Sequence, residues 1–434
     1  MIEEKRKSLW ISLALTSLLL AGCGIDNTDN NVVGDNLILT QATQTPIFTL
    51  PKAALGPKAL AGIKSYKISY MTKNDKGEPI KASGLITIPD LSKEFFAAYE
   101  NNLIPALPNP KHTPFSFSIV SDQHGTIFSD DEAPSATTPA NIATNNPLAI
   151  AFAAQGLFML VQPDDTGFGD ATGSHEYLLE HSLANASVDM IQAAIAFANK
   201  AGLPINGQLF LSGYSEGGYA TMAAAKEIAL HHPQMHLMAV APMAGPYDME
   251  QMAVGALSQD QMAFPPFLAD VVYAYGLRYD DVNLSNIISS AYLPLLPTLF
   301  DTTHSGREIY GALPNVFNGG QATDRLFKAA YSAGFIASED TNLRKHLKEN
   351  SVIDWKPTMP VRMYHCSNDM IVPFAMATLA QTSFEAQHST TTQVVRIDSV
   401  ESNASNPLQV HQNCAQVTYA QAIPWFAQVR KGEK

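Results

Sequence analysis

Residues 209–224 read Leu-Phe-Leu-Ser-Gly-Tyr-Ser-Glu-Gly-Gly-Tyr-Ala-Thr-Met-Ala-Ala. An apolar, strand-like run from Leu209 to Leu211 leads into Gly213-Tyr214-Ser215-Glu216-Gly217, and an alanine-rich helical run follows. A G-x-S-x-G pentapeptide between a strand and a helix has the form of a nucleophile elbow. The turn is so tight that the flanking residues must be small, and the serine is pushed out at the top of a sheet. Gly213 and Gly217 meet that requirement, and Ser215 is the candidate nucleophile. The bare pattern is weak; the strand before it and the helix after it decide the reading.

The surrounding chain repeats the same rhythm. Upstream lie a hairpin (65–70 and 82–89, joined at Asn74-Asp75-Lys76-Gly77), a strand from Phe115 to Val120, a helical stretch ending near Gln155-Gly156, a strand from Leu157 to Val161 and a helix over 178–201. Downstream, Met238 to Ala244, Met359 to Tyr364 and Thr392 to Ile397 read as strands, and Cys414 to Val429 as the closing helix. Strands alternating with helices imply an α/β fold: a mostly parallel sheet covered by helices on both faces. The rhythm breaks between 249 and 355, where Met, Phe, Tyr, Leu and Pro dominate. Helices interrupted by prolines account for that stretch, and it reads as a mainly helical inserted cap, unless part of it belongs to the core. The expected division is a core over 58–248 and 356–434 with the cap at 249–355.

A serine hydroxyl needs a base to take its proton, and the base needs an acid to orient it. Where the nucleophile sits on such an elbow, acid and then base follow it along the chain. Asp369 follows the strand Val361-Arg362-Met363-Tyr364 and fits the acid, with Asp248 as its rival. His411 lies in the loop after the strand ending at Ile397 and fits the base. His388 precedes that strand and falls on the wrong side of the sheet, and His365 reads as a packed residue at a strand end. A developing oxyanion needs preorganised N–H donors. The amide of Glu216, next after the nucleophile, is one; the amide of Thr126, in His124-Gly125-Thr126, is the other, unless that tripeptide is only a glycine turn.

With 46% hydrophobic and 15% charged residues the 434-residue chain suits a buried globular core. A formal charge of −13 argues against a nucleic-acid partner. His231, His232 and His236 fall at a helix end, where the dipole favours them, and no metal is called for. Asp164-Asp165 and Asp130-Asp131-Glu132 lack EF-hand spacing and read as solvated loop acids.

The N-terminus is not part of the fold. Lys5-Arg6-Lys7 precedes an apolar run, Leu9 to Leu20, that is short for a membrane span. Leu20-Ala21-Gly22-Cys23 resembles the lipobox of bacterial lipoproteins. That resemblance implies cleavage of residues 1–22, lipidation of Cys23 and, with Gly24 following the cysteine, an exported lipoprotein of the outer membrane. Residues 23–57 then read as a tether. Of the 3 cysteines, Cys366 and Cys414 remain. In an exported chain they invite a disulfide, the alternative being two buried thiols. Cys366 stands three residues before Asp369 and Cys414 three after His411, so a bridge would clamp the acid loop to the base loop.

Five segments together resemble the secretory lipase and esterase branch of the α/β-hydrolases, including the fungal lipase-A-type enzymes and their bacterial relatives. They are Gln123-His124-Gly125-Thr126, Pro163 to Gly169, Gly213 to Gly218, Asn368-Asp369-Met370-Ile371-Val372-Pro373 and His411-Gln412-Asn413-Cys414-Ala415. The resemblance extends from about residue 60 to the C-terminus, with the cap alike only in position and apolar character. This chain departs from relatives at Thr166-Gly167-Phe168-Gly169, which bears on the substrate pocket. The resemblance implies hydrolysis of ester or lipid substrates with no metal or organic cofactor. A peptidase, an acyltransferase or a non-catalytic ligand-binding lipoprotein could use the same fold.

Overall fold

The computed structural model describes residues 31–33, 37–43, 45–104, 107, 109–314, 325–338 and 342–432. The leader over 1–22 and Cys23 lie outside them. Eleven strands among the described residues form one sheet. They are β1 (Asn31–Val33), β2 (Leu37–Ala42), β3 (Phe48–Leu50), β4 (Gly62–Lys73), β5 (Pro79–Asp90), β6 (Phe117–Gln123), β7 (Met159–Pro163), β8 (Ile205–Tyr214), β9 (Leu237–Met243), β10 (Val361–Cys366) and β11 (Thr392–Ile397). The spatial order is β1-β2-β4-β5-β7-β6-β8-β9-β10-β11, with β3 also on β4. Pairing is antiparallel from β1 through the β5–β7 contact and parallel from β7 to β11. The fold is that of the α/β-hydrolases.

Alternation along the parallel strands builds two cores. Ile119, Leu211, Val240 and Met363 face one, while Val120, Phe210, Ala239 and Tyr364 face the other. The first core is closed by α1 (Glu180–Lys200) and α2 (Glu216–His231); the second by a π-helix (Ala149–Gln155) and, at the C-terminus, a long helix over Pro407–Arg430. Two-faced burial explains why these strands read as continuous apolar runs.

Between β9 and β10 the described residues form helices and two isolated bridges. Of these helices, α3 (Met249–Leu257), α4 (Pro265–Arg278) and α5 (Asn342–Glu349) flank the site. The prolines start helices more than they interrupt them: Pro265 and Pro266 open α4, where a missing N–H costs nothing. Phe128, in the loop after β6, packs within 6.2 Å of Phe264, Phe267 and Phe300 of this insertion.

Part of the expected tether is instead sheet. Within 23–57, β2 and β3 pair with β4. The β4 edge would otherwise present unpaired backbone groups, and the β2 and β3 backbones pair with it instead. The hairpin is longer than its apolar stretches suggested, pairing Gly62 with Asp90 and Lys73 with Pro79.

After α6 (Ala375–Ala386) and β11, α7 (Pro407–Arg430) closes the chain. A disulfide joins Cys366, at the end of β10, to Cys414 in α7, across 48 residues, and both cysteines are fully buried. On the chain-entropy account, closing a loop of this length stabilises by about 4 kcal/mol. The Cys366→Ala/Cys414→Ala double variant is expected to lose up to that amount in urea denaturation while keeping a native far-UV spectrum. An unchanged midpoint would refute the contribution.

Candidate active site

The sheet order reverses at β6. The chain runs from β6 outward to β7, then returns to place β8 on the other side of β6. Crevices at such switch points, beyond the carboxyl ends of the strands, are where α/β sheets bind ligands. Gln123 at the end of β6 is in register with Gly213 near the end of β8, so residues 124–126 lie beside the elbow.

Ser215 has φ 61° and ψ −121°, outside the regions an L-residue favours. A Cβ at Gly213 would collide with the carbonyl of Gly217, and one at Gly217 with the carbonyl of Gln123. Only glycine lets β8, α2 and β6 approach this closely. The Ser215 amide donates to the Met243 carbonyl (2.9 Å), which ties the turn to β9.

Ser215 Oγ is 2.9 Å from His411 Nε2, and His411 Nδ1 is 2.6 Å from Asp369 Oδ2. Asp369 Oδ1 accepts from the amides of Ile371 (2.9 Å) and Val372 (3.0 Å). Burial alone would raise the Asp369 carboxyl, but the His411 charge and hydrogen bond, with His365 and the Val372 amide, hold it below its ordinary value. An ionised Asp369 fixes the proton on Nδ1 and leaves Nε2 to accept from a hydroxyl. The structure thus brings Ser215, His411 and Asp369 together. His411 is not in a loop as expected: it is the fifth residue of α7, one turn past the Asn406 side chain that caps the helix. Asn406 and Pro407 just upstream are a helix-start signal. The Tyr214 hydroxyl, next to the nucleophile, donates to the His411 carbonyl (2.7 Å).

Asp248 caps α3 by accepting from the Gln251 amide (3.0 Å). His365 is buried with Nε2 2.8 Å from the Val372 carbonyl, and burial depresses its pKa. His388 sits in the turn after α6 at φ 60°.

Asp164 and Asp165 are not solvated: both are fully buried. Asp164 accepts from Ser83 Oγ (2.6 Å) and the Ser135 amide (2.8 Å). Asp165 lies 3.4 Å from His124 Nε2, and burial raises its pKa to about 6. Beside them His175 bridges Glu216 Oε1 (2.7 Å) and the Thr166 carbonyl (2.6 Å). Burial would lower the His175 pKa, but the Glu216 charge and hydrogen bond raise it to about 9. Asp270 of α4 is held up at about 8 by burial. Sequence reasoning missed His175, Tyr177 and Asp270. The one signal was the departure at Thr166-Gly167-Phe168-Gly169, whose Phe168 ring lies 4.8 Å from the His175 ring.

Two hollows meet at Ser215 and Phe267. One, about 50 Å³, is walled by Met249, Met252, Met262, Leu268, Val271 and Val372. The other, about 780 Å³, is a wider cleft that includes His124, Thr126, His411, Gln412 and Tyr419.

The buried cluster makes stability fall as pH rises. The His175 contribution is complete below its ordinary value near 6.5 and is lost as pH passes about 9. Asp270 acts in the same direction, because its neutral form suits the fold and ionises through about 8. The thermal midpoint is expected to drop between pH 6.5 and 9.5, and Asp270→Asn to flatten part of that drop. A midpoint independent of pH over this range would contradict both assignments.

Residues 135–433 match the family described as Secretory lipase. No match was found among curated proteins. Among solved structures, a protein from Legionella pneumophila is 27% identical, covering 91% of this chain and 99% of its own, with a TM-score of 0.74. The rice cell wall degrading esterase LipA from Xanthomonas oryzae is 22% identical over 88% of this chain and 97% of its own, with a TM-score of 0.75. Candida antarctica lipase A is 18% identical over 90% and 82%, with a TM-score of 0.62. The last two likenesses are of fold; the family match spans well over half the sequence. The chain therefore belongs to the secretory lipase family and is a carboxylic ester hydrolase.

Proposed function

We propose that Ser215, His411 and Asp369 form the catalytic triad of a serine esterase that works through an acyl-enzyme. The observation that carries this reading is the hydrogen-bonded chain from Ser215 Oγ through His411 to Asp369, at 2.9 and 2.6 Å, behind a serine held at positive φ. Ser215 Oγ attacks the ester carbonyl as its proton passes to His411 Nε2. Asp369 orients the ring and stabilises the imidazolium. The amides of Glu216 and Thr126 receive the oxyanion. His411 returns the proton to the leaving alcohol, and water, activated the same way, releases the acid.

That proton return orients the substrate. The leaving oxygen must face His411 Nε2, and His411 lines the wide cleft but not the methionine-walled cavity. The alcohol portion therefore occupies the cleft and the acyl chain the small apolar cavity beneath residues 249–355, which act as a cap on the core over 58–248 and 356–434. A cavity of about 50 Å³ favours short acyl chains.

A profile over p-nitrophenyl esters of increasing acyl length, run beside Ser215→Ala, tests both parts. The variant is expected to lose roughly 10⁴-fold or more in kcat, and the native enzyme to turn over short acyl esters fastest. Hydrolysis unchanged in Ser215→Ala would end the triad reading; a preference for long chains would end the orientation.

The family is secretory, which accords with export. We place the enzyme on the cell envelope as a lipoprotein acylated at Cys23, supported by the basic and apolar leader and by Leu20-Ala21-Gly22-Cys23. No helix among the described residues is long and apolar enough to cross a membrane. Cys23→Ala is expected to move the protein from the membrane fraction to the soluble one; continued membrane association would refute the anchor.

A further inference from the structure

Both residues assigned as oxyanion donors are also held by their side chains, and one short segment holds both. Thr126 Oγ1 lies 2.8 Å from the Tyr177 hydroxyl, and Glu216 Oε1 lies 2.7 Å from His175 Nε2. His175 and Tyr177 are two residues apart, so their backbone fixes the spacing of the two ties. The His175 Nδ1 faces the Thr166 carbonyl at 2.6 Å. A carbonyl can only accept, so Nδ1 carries a proton, and the raised pKa of His175, about 9, keeps one on Nε2 as well. His175 is thus an imidazolium, with the Phe168 and Tyr177 rings 4.8 and 5.8 Å away.

The segment is itself pinned from three sides. The Asp75 amide, in the β4–β5 turn, donates to Glu176 Oε2 (2.9 Å). The Leu178 carbonyl accepts from Tyr219 of α2 (3.2 Å) and from Tyr275 of α4 (3.1 Å). Its position is therefore set by the sheet, the elbow helix and the insertion together. Thr126, by contrast, belongs to a loop after β6 that is neither helix nor strand. An amide on a loop is a poor oxyanion donor unless something fixes it, because donors act through preorganisation to a few tenths of an ångström.

We propose that His175 and Tyr177 are positioning residues that set the two oxyanion donors, acting through the side chains of Glu216 and Thr126. The inference rests on the triad and oxyanion reading above. It explains a glutamate at 216, a position whose side chain the G-x-S-x-G pattern leaves open: the carboxylate gives the backbone of that residue a second fixed point.

Tyr177→Phe keeps the ring that walls the apolar cavity and removes only the hydroxyl. Thr126→Val keeps the shape and the amide. Each is expected to lower kcat roughly 10- to 100-fold with KM changed less than about threefold. Affinity for a boronic acid, which forms a tetrahedral adduct on the serine, should fall in parallel. The double variant should be no worse than either single one, since one bond is lost in all three, and Thr126→Ser should restore activity. A role in stability alone would lower the thermal midpoint and leave boronate affinity unchanged. Wild-type kcat in Tyr177→Phe, or singles that multiply in the double variant, would overturn the proposal. If Ser215→Ala is inactive while these variants are unaffected, only the brace fails; if Ser215→Ala is active, the reading beneath it fails too.

Discussion

Ser215 is held in a backbone conformation that serine does not choose, and the site depends on that constraint. A residue in such a region costs on the order of 1–3 kcal/mol and persists only where its surroundings over-determine it. Here they do. The Ser215 amide bonds to the end of β9, its carbonyl accepts from Tyr219 at 3.1 Å to begin α2, and Gly213 and Gly217 permit approaches that any Cβ would block. The same approaches bring the loop after β6 against the elbow. Moving the serine would therefore disturb the β6–β8–β9 register, which is buried on both faces.

The polar cluster beside the elbow is harder to justify by stability. A buried ion pair rarely outweighs the desolvation of its members, and here Glu216 Oε2 has no hydrogen-bond partner among the described residues. Asp165 and Asp270 add two more buried carboxyls, both pushed upward by burial. An apolar residue at 216 would fold at lower cost. Retaining a carboxylate there makes sense if the geometry it enforces is worth more than the stability it forgoes. That argument applies to Glu216 more strongly than to Asp369, whose partner His411 already needs a carboxylate.

The chemistry was more legible in the sequence than its support. Chain order leads to the G-x-S-x-G elbow, to Asp369 past β10 and to His411 past β11, the residues that the structure brings together with Ser215, and Thr392–Ile397 is a strand as expected. These signals are local: a tight turn demands small residues, and a parallel sheet demands apolar runs. The burial of Asp164 and Asp165 was not legible, because a pair of aspartates in a loop looks the same whether water or Ser83, Ser135 and His124 surround it. Nor were the strands within the tether, whose pairing partner β4 lies beyond a turn and a short helix. The sequence reads His411 as a loop residue because the apolar run of the last helix starts later than the helix itself, which begins at Asn406 and Pro407. His175 had no motif at all; its role depends on a contact 41 residues away.

Helix α4 links the substrate cavities to the buried cluster. Phe267 lines both hollows that meet at Ser215, and Asp270, one turn later, faces the His175–Glu216 pair. Tyr275, further along, hydrogen-bonds the carbonyl that ends the 175–178 segment. One helix of the insertion therefore touches both hollows and the segment that carries His175 and Tyr177. A shift of α4 large enough to admit a longer acyl chain past Phe267 would also pull on Leu178, and through it on Tyr177 and Thr126. On the proposed substrate orientation, size and transition-state stabilisation are coupled by packing: an ester that fits poorly would lose rate as well as affinity, because the helix it displaces is the one that braces the proposed donors.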